Sequence, residues 1–161
     1  MTRANHEFSH DCLHDYPAVT HVIQRHSTVR TPGYVFALVA IYCAASLIHF
    51  VHNAQFIAEY PNLPPWLSSA QVYLAWIAVT SVGAIGVAVA LSGRRTLGLV
   101  LIAGYAALGF AGLDHYTRAP LSAHTLAMNA TIAFEVVAAA ILLAVAIAVL
   151  LRSVRHSPAG R

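Results

Sequence analysis

Four long apolar segments constrain the fold of this 161-residue chain more than any other feature. They cover about residues 34–57, 70–91, 97–113 and 126–151. A transmembrane helix needs about 20 consecutive apolar residues, and a helix satisfies its own backbone hydrogen bonds in lipid. The third segment is short, but the polar residues that follow it, Asp114-His115-Tyr116, can lengthen it. We therefore predict an all-α integral membrane protein.

Composition supports this class and excludes others. Hydrophobic residues make up 58% of the chain and charged residues only 9%, whereas soluble domains carry about 25% charged residues. A soluble enzyme domain, a disordered chain and a coiled coil are therefore excluded. The net charge of +3 is small and scattered, so no nucleic-acid partner is expected. The two cysteines, Cys12 and Cys43, are far apart, which argues against a disulfide framework.

Short links rich in proline, glycine and serine separate the four segments, which predicts an antiparallel four-helix bundle. The arginines indicate how this bundle is oriented across the membrane, because arginines concentrate on the cytoplasmic side of a membrane protein. One side collects six of them and the other has only Arg118; the six are Arg25, Arg30, Arg94, Arg95, Arg152 and Arg155. Both termini should then be cytoplasmic, in the inner (plasma) membrane. The loops at 58–69 and 114–123 should face the exterior.

This topology divides the chain into three parts. Residues 1–33 form a cytoplasmic His-rich tail, residues 34–151 the four-helix membrane domain, and residues 152–161 a short cytoplasmic C-terminal tail. The first tail contains six potential soft or borderline ligands, namely His6, His10, Cys12, His14, His21 and His26. Such a tract suggests metal binding; the alternative is a tail whose histidines are incidental.

Polar residues gather at the exterior ends of the predicted helices. His49, His52, Asn53 and Glu59 lie at the end of the first helix, Asp114 and His115 at the end of the third, and His124 at the start of the fourth. An aromatic belt, comprising Tyr60, Trp66, Tyr73, Trp76 and Tyr116, is expected at the same boundary.

Helical spacing turns these residues into two polar stripes. The first helix carries Tyr42, Ser46, His49 and Asn53 on one face, and the fourth carries His124, Met128, Thr131 and Glu135. Polar stripes should face the bundle interior, because lipid exposure is costly. We predict a polar pocket that opens to the exterior, with Glu135 roughly 16 Å deeper than His124 at 1.5 Å per residue.

The residue types in this pocket favour a transition-metal site. Zn, Cu, Fe and Mn take histidine and carboxylate ligands. The candidate ligands are His49, His52, Glu59, Asp114, His115 and His124. Such a site would serve a metalloenzyme acting on a lipid-soluble substrate, or metal handling. Glu135 lies near the membrane middle with no evident structural reason, so we assign it as the candidate catalytic acid or base.

Other functions fit the same residues, and the sequence leaves open whether the protein is an enzyme. A b-type haem would use His49 or His52 with His115 or His124 as axial ligands. Metal-free acid–base isomerisation of a hydrophobic small molecule would use Glu135 with His49, in a plan broadly similar to that of emopamil-binding-type membrane proteins. An assembly subunit, in a homo-oligomer or with another membrane protein, would use its polar residues for contacts.

Overall fold

The structure is a computed structural model that describes residues 31–155. Its helices are α1 (Gly33–Gln55), α2 (Ser69–Leu91), α3 (Arg95–Leu108), α4 (Asp114–Arg118) and α5 (Leu126–Arg155). Short 3₁₀ turns occupy Ile57–Glu59, Gly109–Leu113 and Leu121–Ala123, and residues 31–155 contain no strand. The hypotheses about the His-rich tail, and most of the C-terminal tail, fall outside these residues.

Within the described part of the chain, four helical segments are long and apolar enough to cross a membrane: Gly33–Gln55, Ser69–Leu91, Arg95–Arg118 and Leu126–Ser153. The all-α class and the four predicted membrane helices are thus confirmed. The third segment joins α3, a 3₁₀ turn and α4 into one span of 24 residues. It therefore reaches past Leu113, because Asp114 and His115 continue the helix as the sequence suggested.

Local sequence signals explain where these helices begin and end. The Ser68 hydroxyl accepts a hydrogen bond from the Gln71 backbone and the Gln71 side chain accepts one from the Ser68 backbone, which forms a capping box at the start of α2. Between α2 and α3 the backbone of Gly93 has φ +91°, a left-handed conformation that glycine adopts without steric cost. This turn brings α3 back along α2.

The four spans pack as a ring in which α1 contacts α2 and α5, and α3 contacts α2 and α5. The pair α2–α3 is the closest, since a Cβ atom on Gly98 would lie 2.5 Å from the backbone nitrogen of Ala90. The pair α1–α2 is the most loosely packed of these four. The core is apolar, with the rings of Tyr42 and Tyr105 packed at a tilt of 50° and 4.5 Å between their centroids.

Large apolar side chains also cover the outside of the bundle, including Ile41, Leu74, Ile85, Val137 and Ile141. A helix that is apolar on its exposed faces as well as its buried ones suits a lipid environment. The polar stripes lie on the opposite faces: Tyr42, Ser46, His49 and Asn53 of α1 are buried, as are His124, Met128 and Glu135. The prediction that these stripes face the interior is confirmed.

The polar ends of the helices meet at one end of the bundle, which we call the site end. There the Ser69 hydroxyl at the start of α2 donates to the Ala54 carbonyl at the end of α1, at 2.7 Å. The Asn53 side chain reaches His115 of α4 at 3.3 Å. His124, just before α5, lies within ring contact of His115. Four chain segments that are distant in sequence therefore build one site.

Candidate functional site

Glu135 of α5 and His49 of α1 form the centre of the site. Both residues are only 2% exposed. The Nε2 atom of His49 lies 3.6 Å from the Oε2 atom of Glu135. This separation exceeds a hydrogen bond, but sites without their ligand often have long distances between catalytic groups. Of the candidate site residues, these two make the closest approach between an acid and a base in the bundle interior.

The groups around Glu135 leave its carboxyl incompletely satisfied. Among the residues that the structure describes, the Oε2 atom of Glu135 has no hydrogen-bond partner, and neither does the buried hydroxyl of Tyr42. The Ser46 side chain lies close to the carboxyl. A Cβ atom on Gly112 would lie 3.3 Å from Oε2, so the glycine leaves space beside the carboxyl. Buried polar atoms without partners are costly and are rare in native proteins. Their concentration here is typical of a binding or catalytic site.

A hydrogen-bond chain orients the His49 ring. The Thr131 hydroxyl donates to the Met128 carbonyl at 3.0 Å. Its oxygen therefore remains free to accept the Nδ1–H of His49, at 3.5 Å. With the proton on Nδ1, the Nε2 atom of the neutral imidazole carries a lone pair directed at Glu135. The contact with Thr131 fits this tautomer, in which His49 can act as a base.

Two adjoining pockets lead to this pair. The inner pocket has a volume of about 210 Å³, and His49, Asn53, Gly112, His115 and Glu135 contribute to its wall. The outer pocket, of about 270 Å³, is bordered by the loop before α2 and by α4. Asn53, Ala111 and His115 belong to both walls. The two pockets therefore share one wall, and the outer pocket lies nearer the site end.

His115 and His124 continue the histidine cluster towards the site end. His115 is 9% exposed, its ring lies 5.5 Å from that of His49, and its Nε2 atom accepts the Asn53 side-chain N–H. The His124 ring lies 6.2 Å from that of His115, and its Nδ1–H donates to the Pro120 carbonyl at 3.1 Å. The Nε2 atom of His124 is buried and has no partner among residues 31–155.

His52 and Tyr60 form a second pair beside the cluster. The Tyr60 hydroxyl and the Nδ1 atom of His52 share a hydrogen bond of 2.9 Å, so this side of the His52 ring is directed at the loop after α1. Tyr60 is only 4% exposed, and its ring packs against that of His115 with 4.9 Å between the centroids. Burial raises the pKa of Tyr60 to about 12, which keeps its hydroxyl protonated. The structure therefore places Tyr60 inside the site and not on an exposed aromatic belt.

The structure does not bring the two predicted ligands Glu59 and Asp114 to this centre. Both side chains are exposed. Asp114 pairs with Arg118 of its own helix at 2.7 Å. Within residues 31–155, no group of three or more histidine, cysteine or acidic side chains is arranged to hold one metal ion. The residues that converge are His49, His115, His124 and Glu135.

Several positions in the site received no binding or catalytic role from the sequence. Thr131 contacts His49 and Gly112 lies beside Glu135, whereas Asn53 and Tyr60 contact His115. The sequence had placed Asn53 and Thr131 on the polar stripes and Tyr60 in the aromatic belt. Gly112 had no distinguishing signal, because its role is to leave space for a residue 23 positions later in the chain.

Comparison of the chain with protein-family models, with curated proteins and with solved structures found no match. A functional assignment therefore depends on the chemistry of the site itself.

Proposed function

We propose that this protein is a membrane enzyme that moves a proton within a lipid-soluble molecule, with Glu135 as the acid and His49 as the base. The observation that carries the proposal is the 3.6 Å approach of His49 Nε2 to Glu135 Oε2 on the wall of an internal pocket. A buried acid–base pair that lacks full hydrogen bonding has groups available for a substrate.

The proposed reaction is isomerisation of a carbon–carbon double bond. The protonated Glu135 carboxyl donates its proton to one alkene carbon, and a new C–H bond forms. The other alkene carbon becomes cationic, and the His49 Nε2 atom removes a proton from the carbon on its far side, so that the electrons of that C–H bond form a double bond one position away. His49 then releases that proton to solvent and the Glu135 carboxylate takes one up from solvent, which restores the starting state and lets deuterium from D₂O enter the next turnover. Protons and electrons balance without an oxidant, a reductant or a co-substrate.

The surroundings of the pair suit this chemistry. Among the described residues, no arginine contributes to the inner pocket wall, where Phe50, Val79 and Leu108 supply apolar surface. Exclusion of water protects a cationic intermediate from hydration and strengthens its interaction with the Glu135 carboxylate. The contact with Thr131 fits the His49 tautomer that has a free Nε2 atom.

The topology that we propose places this site at the exterior leaflet of the inner membrane. The end of α1 and the start of α2 meet at the site end, which supports an antiparallel bundle. Arg94 and Arg95 lie in the link at the opposite end. The excess of arginine at that end supports a cytoplasmic position for both termini.

Hydrogen exchange tests the proposal even while the substrate is unidentified. The purified protein is incubated in D₂O with the lipid extract of the membranes from which it was prepared, and the lipids are analysed by mass spectrometry. A proton-transfer isomerase places deuterium on carbon in its substrate and product. We expect such label with the wild type and its loss with Glu135→Gln, which retains size but cannot donate an acidic proton.

The matched control is Asp114→Asn, which changes an exposed carboxylate outside the central pair. It should label lipids as the wild type does. Equal deuterium incorporation by Glu135→Gln and the wild type, or incorporation no greater than in a protein-free sample, would overturn the proposal.

A transition-metal site remains a second candidate because of the spacing of three histidine rings. The centroids of His49 and His115 are 5.5 Å apart, and those of His115 and His124 are 6.2 Å apart. Side-chain rotation would still be needed to direct their nitrogens at one ion. Elemental analysis and an absorption spectrum of the wild type and of His115→Ala, with His52→Ala as control, would detect a metal or haem. Stoichiometric metal that only His115→Ala loses would favour this candidate.

A further inference from the structure

Ser46 of α1 is a buried polar residue that the proposed mechanism does not use. Its side chain has no exposed surface, and it lies on the polar stripe of α1, one helical turn from His49. A buried hydroxyl is costly unless it is hydrogen-bonded. Packing alone would therefore favour alanine at this position, as at the neighbouring buried Ala45.

Other serines within the helices use their hydroxyls differently from Ser46. Ser81 of α2 and Ser153 of α5 each donate to the backbone carbonyl four residues earlier, at 2.7 and 2.8 Å. That carbonyl is a common partner for a serine inside a helix. Ser46 does not make the equivalent bond to the Tyr42 carbonyl. Its hydroxyl therefore remains available to a side chain of a neighbouring helix.

Two contacts define the levels at which α1 faces α5. At the first level, a Cβ atom added to Gly109 would lie 2.5 Å from the Tyr42 hydroxyl and 2.6 Å from the Ala139 Cβ atom. At the second level, nearer the site end, the Nδ1 atom of His49 lies 3.5 Å from the Thr131 hydroxyl. These two contacts fix the register of the two helices between them.

This register places Ser46 opposite Glu135. Ser46 lies four residues, or about 6 Å, from Tyr42 in the direction of the site end. Glu135 lies four residues from Ala139 in the same direction. The Ser46 side chain is accordingly close to the Glu135 carboxyl. A buried hydroxyl that leaves its own backbone unused thus faces the buried acid of the site.

We propose that Ser46 is the positioning residue for the Glu135 acid: its hydroxyl donates to the carboxyl and holds it beside His49. The bond strengthens once Glu135 has given its proton to the substrate, because a hydrogen bond to a carboxylate is about twice as strong as one to a neutral acceptor. Ser46 therefore stabilises the charge that proton transfer creates. The serine keeps its own proton throughout. Its catalytic role rests on the proposed function, whereas the hydrogen bond itself does not.

Infrared difference spectroscopy of the full-length protein in detergent tests the hydrogen bond. The spectrum of the wild type minus that of Glu135→Gln isolates the carboxyl band of Glu135, and the same subtraction in a Ser46→Ala background reports the effect of the hydroxyl. The band should shift to higher frequency in Ser46→Ala, because the carboxyl C=O loses a donor. Ser46→Thr, which keeps a hydroxyl, and the control Ser81→Ala, on the exposed face of α2, should leave it in place. An identical band position in the wild type and Ser46→Ala would overturn the inference.

The deuterium-incorporation assay tests the role of this bond in the proposed reaction. Ser46→Ala should slow the labelling of lipid by about tenfold, which equals about 1.4 kcal/mol of transition-state stabilisation. Ser46→Thr should restore most of the rate, and Ser81→Ala should retain it. Labelling by Ser46→Ala at the full rate would overturn the positioning role. If the wild type itself labels no lipid, the proposed isomerisation fails, and the infrared shift still decides whether Ser46 bonds to Glu135.

Discussion

Replacement of Glu135 by methionine should remove the proposed chemistry without weakening the fold. Glu135 is 2% exposed, and its Oε2 atom has no hydrogen-bond partner among the described residues. The nearest basic atom, His49 Nε2, lies 3.6 Å away, beyond hydrogen-bond distance. Apart from the nearby Ser46 side chain, the carboxyl therefore has little compensation for its burial. A methionine of similar size carries no such cost.

The expected magnitude follows from that missing partner. A buried polar group without a partner costs about 1–3 kcal/mol. Glu135→Met should therefore raise the free energy of unfolding by up to about 3 kcal/mol. For a chain of this size, 1 kcal/mol corresponds to a change in Tm of about 2–4 °C, so Tm should rise by several degrees.

Thermal unfolding in detergent, followed by circular dichroism, measures this change against two control variants on α5. Ile132→Met replaces one fully buried apolar side chain by another and should change the free energy of unfolding by less than about 1.5 kcal/mol. Leu142→Ala removes packing in the fully buried core and should lower it by about 2–5 kcal/mol. These variants show that the assay responds to packing on this helix.

The reasoning would be refuted by a Glu135→Met variant that loses as much stability as Leu142→Ala. Such a loss would mean that the carboxyl holds α5 to α1, so that its burial is structural. A rise in Tm together with loss of deuterium incorporation would instead show that Glu135 is retained at a cost to stability, as expected for a functional residue.

Three further predictions follow from the contacts. Gly109→Ala should destabilise the protein by about 1–3 kcal/mol in thermal unfolding, because the added Cβ would lie 2.5 Å from the buried Tyr42 hydroxyl of α1. The control Gly104→Ala should be neutral or slightly stabilising, because its added Cβ would have no heavy atom within 4 Å. Burial raises the pKa of Tyr60 from 10.0 to about 12, so its contribution to stability should be intact below pH 10 and decline as pH rises towards 12; Tyr60→Phe should lose this part of the alkaline decrease in Tm. Asp114→Asn should cost no more than about 1 kcal/mol on unfolding, because its exposed ion pair with Arg118 is solvated; a larger loss would contradict a peripheral role for this carboxylate.

Sequence reasoning reached the fold because the relevant signals are local. The length of each apolar segment predicts a membrane helix, and the spacing of Tyr42, Ser46, His49 and Asn53 identifies the buried face of α1. Both predictions hold in the structure. The helix boundaries differ by only a few residues, because polar residues such as Asp114 and His115 continue a helix beyond its apolar segment.

The site was only partly predictable from the sequence, because depth along a helix does not fix which side chains meet. Glu135 and His49 were each singled out from their own helix, but their mutual distance depends on how α1 and α5 pack. Asp114 looked equivalent to His115 in sequence, yet one turns outward to Arg118 and the other inward to Asn53. A helix rotates by about 100° per residue, so neighbours in sequence face different surroundings.

The sequence by itself therefore determined that the helices suit a lipid environment, where they lie in the chain and which of their faces are polar. These properties depend on the hydropathy and spacing of residues close together in the chain. Only the tertiary structure decided that His49 faces Glu135 and that Tyr60 enters the site. It also decided that Gly112 leaves space beside the carboxyl. The physical reason is that these contacts join residues from different helices, and their formation depends on side-chain packing across the whole bundle.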